Sequence, residues 1–227
     1  MPFPELEERV REIRGRVSDA VSRGGHAQTV RIVAVTKTYG PEAAIAAWDA
    51  GLHDVGENRI QEALQKIPSV TVPVSWHLIG HLQRNKVKHL ELFSMMHSLD
   101  SLRLAEAVNA DGLSRAKPHA VLLQVNTSGE ESKGGFSDAA MDGAIDSLRS
   151  MRGLELRGVM TMAPLNADEA TLRSTFGRAR AIGEQLVASG FPATERSMGM
   201  SGDFEIAVEE GATMVRLGTI LFGARST

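Results

Sequence analysis

The chain has 227 residues, of which 42% are hydrophobic and 23% are charged, and its formal net charge is −3. This length and composition are typical of a globular protein that can form one α/β barrel. The slightly acidic balance argues against bulk electrostatic binding to nucleic acid or to anionic membranes, and the lack of cysteine excludes disulfides and thiolate chemistry.

An amphipathic helix is predicted at the start of the chain, from Glu5 to about Arg23, because apolar residues recur there at three- and four-residue spacing. This charged segment has no apolar core of the signal-peptide type, and no window approaches the roughly 18 apolar residues of a membrane span. We therefore expect a cytoplasmic protein. The next segment, 30–36, is almost wholly apolar, as expected of a parallel strand buried on both faces.

Strands and helices alternate along the rest of the chain. Further strands are predicted at 53–56, 74–80, 95–99, 120–125, 156–162, 197–199 and 214–217. Further helices are predicted at 41–50, 59–66, 83–91, 101–114, 137–151, 168–189 and 204–210, with a short closing segment at 219–222. This pattern predicts an α/β fold, a single (β/α)8 TIM-type barrel with an extra N-terminal helix, formed by residues 1–227 as one domain. The alternative is an open doubly wound sheet, but the first strand is not followed by a Gly-x-Gly-x-x-Gly turn.

Lys37 directly follows the first predicted strand, at the end where barrel enzymes place their reactive residues. A lysine there can be partly desolvated, which lowers its pKa and makes the neutral amine available for imine formation. Alternation places Val35 and Val33 on the same face, so an inward-pointing Lys37 stands on an apolar floor. The alternative is a lysine whose stem lies along the barrel rim with its ammonium in water.

Small residues follow the last two predicted strands: the segment 199–203 follows the seventh, and Gly218 and Thr219 follow the eighth. Barrels commonly bind phosphate with these two loops, through backbone N–H groups near the start of a short helix. Their joint placement therefore predicts a phosphate site. The alternative is ordinary turns and helix caps, in which the same residue types are normal.

Arg216 lies within the apolar eighth strand, where a guanidinium is costly unless its charge meets a partner. Either a buried structural ion pair or a ligand atom at the barrel mouth accounts for it. His77 and His81, around the end of the third strand, invite a metal interpretation. Their spacing does not place both on one helical face and no acidic cluster lies nearby, so we expect no metal site.

Several longer motifs are distributed along the whole chain. They are Ala34-Val35-Thr36-Lys37, Gly56-Glu57-Asn58, the run from Trp76 to Lys86, Gln124-Val125-Asn126, the run from Arg157 to Met162, the run from Ser197 to Asp203, Val215-Arg216-Leu217-Gly218-Thr219 and Phe222-Gly223-Ala224-Arg225. With these motifs the chain resembles the pyridoxal phosphate homeostasis proteins, which share the barrel of the alanine racemase N-terminal domain. The resemblance runs from the first helix to the C-terminus.

The resemblance implies that the chain carries pyridoxal 5′-phosphate (PLP) as an imine on Lys37. It also implies that Arg216 faces the pyridine nitrogen and that Asn58 lines the pocket. One departure from the family follows Lys37, because many relatives carry a lysine-proline pair where this chain has the segment 38–40.

The resemblance further implies that Ser201, Gly218 and Thr219, with the Met200 backbone, hold the phosphate of the cofactor. A second departure from the family is Lys133-Gly134-Gly135, where relatives more often have a serine-like residue between the lysine and the glycine. This departure leaves the role of the glycine-rich loop 128–135 open.

A carrier role is favoured over catalysis. A guanidinium beside the pyridine nitrogen disfavours its protonation, which makes the ring a poorer electron sink. Racemisation needs two bases, and in the related racemases the second is a tyrosine from another domain. The single tyrosine of this chain, Tyr39, lies two residues after Lys37, and no second domain is predicted.

We therefore expect intracellular PLP buffering and delivery without efficient catalysis. The expected partners are PLP itself and apo PLP-dependent enzymes in transient contact, with no nucleic acid, no membrane and a monomeric chain. Two alternatives remain: a PLP-dependent amino-acid racemase or related enzyme, and a Schiff-base aldolase or other phosphate-site barrel without PLP.

Overall fold

The computed structural model describes residues 3–127 and 134–223. Most of the glycine-rich loop 128–135, and the last residues of the C-terminal motif, lie outside the described residues. No helix within the described part of the chain is long and apolar enough to cross a bilayer.

Eight parallel strands form a closed barrel in chain order, so the predicted (β/α)8 fold is confirmed. The strands are β1 (Arg31–Val35), β2 (Asp54–Glu57), β3 (Ser75–Leu78), β4 (Met95–Leu99), β5 (His119–Gln124), β6 (Leu154–Met160), β7 (Glu195–Ser197) and β8 (Met214–Leu217). Pairing of β1 with β8, from Arg31 opposite Met214 to Ala34 opposite Leu217, closes the barrel.

Helices surround the barrel. They are α1 (Leu6–Gly24), α2 (Pro41–Asp49), α3 (Ile60–Lys66), α4 (Leu102–Ser114), α5 (Met141–Leu148), α6 (Glu169–Ala188), α7 (Phe204–Glu209) and α8 (Thr219–Phe222). The extra N-terminal helix, α1, packs its apolar face against α7 and α8, as its amphipathic pattern requires.

Three predicted elements differ from the observed ones in type or position. The sixth strand was predicted at 156–162 but lies at Leu154–Met160. The segment Arg84–Leu92 is a 3₁₀ helix, and its buried residues Val87 and Leu90 are three apart, which matches the 3₁₀ period. The seventh strand was predicted at 197–199 but lies at Glu195–Ser197. It ends there because Gly199 has a φ of +93°, which is incompatible with a strand.

The barrel interior contains both an apolar cluster and a set of polar side chains. The apolar cluster is formed by Val33, Met95, Leu122, Met160 and Met214. The polar set consists of the buried, hydrogen-bonded side chains of His77, His97, Ser197 and Arg216, with Asp54 at one end. The ends of β1, β7 and β8 meet above this interior, where the candidate site lies.

Candidate functional site

A cavity of about 630 Å³ opens at the carboxyl-terminal ends of the strands. It is lined by every site residue that the sequence predicted, namely Lys37, Asn58, Met200, Ser201, Arg216, Gly218 and Thr219. These residues come from the ends of β1, β2, β7 and β8, so closure of the barrel brings together positions far apart in the chain.

Lys37 lies in a tight turn that begins as β1 ends. The Tyr39 N–H donates to the Thr36 carbonyl oxygen at 3.1 Å and closes this turn. Thr38 adopts a φ of +69°, a left-handed conformation that a β-branched residue rarely takes and that costs about 1–3 kcal/mol. Lys37 itself is half-buried and lines the cavity together with Val35, as strand alternation predicted.

A buried ion pair lies directly behind this turn and was not foreseen in the sequence. Lys66, at the end of α3, is paired with Glu57 and also donates to the Thr36 carbonyl oxygen at 2.8 Å. The Thr36 hydroxyl donates to Glu57 Oε1 at 2.6 Å. Because Thr36 precedes Lys37 and Glu57 precedes Asn58, this pair fixes two strand ends that carry site residues.

Asn58 reaches the cavity at the end of β2, against the loop that follows β3. A Cβ added at Gly80 would lie 2.3 Å from the Asn58 carbonyl oxygen, so only glycine permits this approach. The Trp76–Lys86 motif therefore contributes a glycine that allows the Asn58 backbone to pack closely.

The loops after β7 and β8 meet at one corner of the cavity. The Ile220 N–H donates to Ser201 Oγ at 3.4 Å, which joins the two loops. Gly199 permits the chain to turn here, because a Cβ at this position would lie 2.7 Å from the Ala207 Cβ. The corner presents the Ser201 hydroxyl together with Gly218 and Thr219.

Asp203 closes the turn after β7 and uses one of the predicted phosphate donors. The Met200 N–H donates to Asp203 Oδ1 at 2.5 Å, so a phosphate in this corner has to share that donor. Burial raises the pKa of the Asp203 carboxyl above its ordinary value, although the Met200 N–H and the charge of Arg216 act in the opposite direction.

Arg216 is buried at the cavity floor and is held by neutral oxygens. Nη1 donates to the carbonyl oxygen and to the hydroxyl of Ser197, both at 2.7 Å, and Nη2 donates to the Thr161 carbonyl oxygen at 2.9 Å. Arg216 forms no salt bridge with any residue in the described ranges. Burial lowers the pKa of its guanidinium to about 10, partly offset by Asp203, so it stays protonated at neutral pH.

The two histidines of the third-strand motif lie in different places. His77 is inside the barrel, with Nε2 2.8 Å from Asp54 Oδ1. His81 lines the cavity mouth and pairs with Asp100 at 2.8 Å, a pairing that the sequence did not indicate. Among the residues that the structure describes, no three His, Asp or Glu side chains are grouped as metal ligands.

Comparison with known proteins assigns the chain to a family. The family model of the alanine racemase N-terminal domain matches residues 11–226. The pyridoxal phosphate homeostasis protein of Pseudomonas aeruginosa is 38% identical over 223 residues, which cover 97% of this chain and 96% of the relative. The chain belongs to the pyridoxal phosphate homeostasis protein family.

Solved structures agree with this family membership. PipY of Synechococcus elongatus, solved with PLP bound, has a TM-score of 0.85 and 33% identity, with 96% of this chain and 100% of that chain covered. Alanine racemase from Corynebacterium glutamicum, at 15% identity and a TM-score of 0.73, shows the common fold. The match covers 92% of this homeostasis family member and 61% of the racemase chain.

Proposed function

We propose that this protein binds PLP covalently through Lys37 and serves in PLP homeostasis by buffering the cofactor and delivering it to other proteins. The observation that carries the proposal is that one cavity contains an amine, a corner of small and hydroxyl residues, and a buried cation. Family membership supports it, since the relatives are named as homeostasis proteins and PipY was solved with PLP bound.

The groups in the cavity fit the three polar parts of PLP. The Lys37 amine suits the aldehyde, with which it forms an imine. The Ser201 hydroxyl, Gly218 and Thr219 suit the phosphate, with the Met200 N–H as a shared donor. Arg216 is protonated and is held by oxygens at the cavity floor. It suits an unprotonated pyridine nitrogen, to which it can donate a hydrogen bond.

The position of Arg216 limits how well the ring of a bound PLP can serve as an electron sink. When bound, PLP supplies an electron sink to enzymes that protonate its ring nitrogen. Arg216 is a cation whose hydrogen-bond partners are neutral oxygens, so it disfavours such protonation. We therefore propose that the protein holds PLP without efficient turnover.

Tyr39 lines the cavity, but aromatic neighbours hold its ring. Its ring packs edge-on against Phe3 at 5.5 Å and at a tilt against Phe222 at 5.3 Å, and its hydroxyl lies 3.5 Å from the Gly223 carbonyl oxygen. It also comes from the same loop as Lys37. These contacts support the proposal that Tyr39 does not supply the second base that racemisation requires.

The visible absorption spectrum tests PLP binding. Protein mixed with PLP should develop an imine band, and Lys37→Ala should abolish it. Lys117→Ala, which removes an exposed lysine outside the cavity, should retain the band. An unchanged band in Lys37→Ala would contradict the proposed attachment.

The carrier role is tested by two assays. The loaded protein should activate an apo PLP-dependent enzyme faster than the same concentration of free PLP does. Loss of the α-proton of alanine or serine in deuterated water should be slow, because a missing general base typically costs 10²- to 10⁴-fold. Exchange at about 1–10³ per second would instead establish a racemase-like enzyme, with His81 as its first candidate base.

A further inference from the structure

A continuous chain of side-chain hydrogen bonds runs through the barrel interior. Nε2 of His77 lies 2.8 Å from Asp54 Oδ1, and Nδ1 of the same ring lies 2.9 Å from His97 Nε2. His97 Nδ1 lies 2.9 Å from Ser197 Oγ, which in turn lies 2.7 Å from Arg216 Nη1. His77, His97 and Ser197 are buried. The chain thus connects the cavity floor with the opposite end of the barrel.

For neutral rings, the Asp54 end fixes the direction of every bond in this chain. The Asp54 carboxylate can only accept, so His77 donates to it from Nε2 and accepts at Nδ1 from His97 Nε2. His97 then accepts at Nδ1, where Ser197 Oγ donates its hydrogen, and Ser197 Oγ accepts in turn from Arg216, which can only donate. With both rings as neutral Nε2–H tautomers, all bonds point from the arginine to the aspartate.

We propose that Ser197 and His97 are positioning residues for Arg216, and that Asp54 sets the polarity of the whole chain from the far end of the barrel. Reversal at any link would oppose two donors or two acceptors in a buried site, which costs a lost hydrogen bond and a desolvated group. The guanidinium is thereby held in one orientation before any ligand enters the cavity.

The charges around the chain support this polarity. Burial lowers the pKa of His97 well below its ordinary value, and the positive charges of Arg216 and Arg31 act in the same direction, so the ring stays neutral. At the far end, burial opposes ionisation of Asp54, but the His77 bond and the charge of Arg31 lower its pKa overall. Glu195 accepts from Arg31 at 2.6 Å.

The far end of the chain lies close to solvent, whereas its middle does not. The side chains of Asp54 and Glu195 are 19% and 18% exposed, and that of Arg31 is 38% exposed. At the other end of the chain, the negative charge of Asp203 raises the pKa of Arg216 and partly offsets the effect of burial. A change at the accessible end can therefore alter the hydrogen bonding of Arg216 without any contact with the cavity.

The histidine tautomers of the protein without PLP provide the first test. Nitrogen-15 spectra should show both His77 and His97 protonated on Nε2 and unprotonated on Nδ1 at neutral pH. Asp54→Asn should produce mixed tautomers, because an amide can donate to His77 as well as accept from it. The matched control is Asp111→Asn, which alters another half-buried aspartate–histidine pair, His119 with Asp111 at 2.9 Å, outside this chain.

PLP affinity and the absorption spectrum of the bound cofactor provide the second test, and only this part rests on the proposed function. Ser197→Ala should weaken PLP by about tenfold, and Asp54→Asn by roughly twofold to tenfold, each with a shifted absorption maximum. Asp111→Asn should change neither property.

The two tests fail in distinguishable ways. The expected tautomers in a protein that binds no PLP would overturn the proposed function and leave the polarised chain standing. An imidazolium or Nδ1–H tautomer at His97 in the unmodified protein would overturn the chain. The polarised chain would also be overturned if Asp54→Asn left both the histidine tautomers and the absorption spectrum of bound PLP the same as in the unmodified protein.

Discussion

The Ser201 hydroxyl and the Thr219 side chain lie at the corner where the loops after β7 and β8 meet. Replacing Ser201 with alanine or Thr219 with valine should weaken binding of PLP more than binding of pyridoxal, which lacks the phosphate. Each lost bond to a charged group should cost about 1.5–3 kcal/mol, or roughly ten- to a hundredfold in affinity. Fluorescence titration with both ligands measures the difference.

Thr171→Val is the matched control for the hydroxyl variants, because Thr171 is exposed on α6 and outside the cavity. It should leave both affinities unchanged. If the Ser201 and Thr219 variants weakened PLP and pyridoxal equally, neither side chain would touch the phosphate.

Individual residues differ in how far the sequence could place them. Lys37 was singled out because it follows the end of the first strand, and Arg216 because a charge within an apolar strand requires a partner. The partners of Arg216 could not be predicted, since Ser197 and Thr161 lie 19 and 55 residues away in sequence. Which strands face each other across the barrel depends on closure and stagger, and neither leaves a local sequence signal.

At the level of elements, the buried Lys66–Glu57 pair joins α3 to the ends of β1 and β2. Lys66→Met should lower the free energy of unfolding by about 3–5 kcal/mol, because it leaves a buried carboxylate without its partner. The double variant Lys66→Met/Glu57→Leu should lose less than the single variant, since it also removes the orphaned charge. Urea unfolding of both variants measures these losses.

An exposed ion pair serves as the comparison for this buried one. Arg149 and Asp146 lie 3.9 Å apart with side chains that are 54% and 83% exposed, so Arg149→Met should cost at most about 1 kcal/mol. If Lys66→Met also lowered the free energy of unfolding by no more than this amount, the buried pair would not fix the strand ends.

The elements that the sequence misplaced have identifiable local causes. The seventh strand was predicted two residues late, because Glu195 and Arg196 are charged and the apolar signal begins only after them. The structure accommodates the charges through Arg31, which pairs with Glu195 across the barrel end at 2.6 Å. Long-range ion pairs of this kind override the local pattern from which strands are predicted.

For the molecule as a whole, the buried polar chain makes stability depend on pH. The folded state keeps His97 neutral because burial lowers its pKa, whereas the unfolded chain binds a proton below about pH 6.5. The free energy of unfolding should therefore fall as the pH decreases below about 6.5, by up to about 1.4 kcal/mol per pH unit for this proton, until the folded-state pKa is reached.

Urea unfolding between about pH 7 and pH 5 measures this dependence. His97→Gln should have a shallower slope than the unmodified protein, although its stability at pH 7 is lower. His26→Gln removes an exposed histidine and should keep the original slope. Equal slopes in all three proteins would show that His97 is not the source of the acid sensitivity.

The barrel architecture was predictable because its signal is repeated along the whole chain. Alternating apolar strands and amphipathic helices specify a parallel sheet, and the β1–β8 pairing then closes it. The mixed interior was not predictable, because Asp54, His77 and Arg216 become neighbours of the same hydrogen-bonded chain only after closure.

The attachment of PLP to Lys37 is the central claim and can be tested directly. The PLP-loaded protein is reduced with borohydride, digested and analysed by mass spectrometry. We expect the cofactor to be fixed to the peptide that contains Lys37, and Lys37→Ala to yield no labelled peptide. Attachment at any other lysine, or an equal yield of labelled peptide from Lys37→Ala, would contradict it.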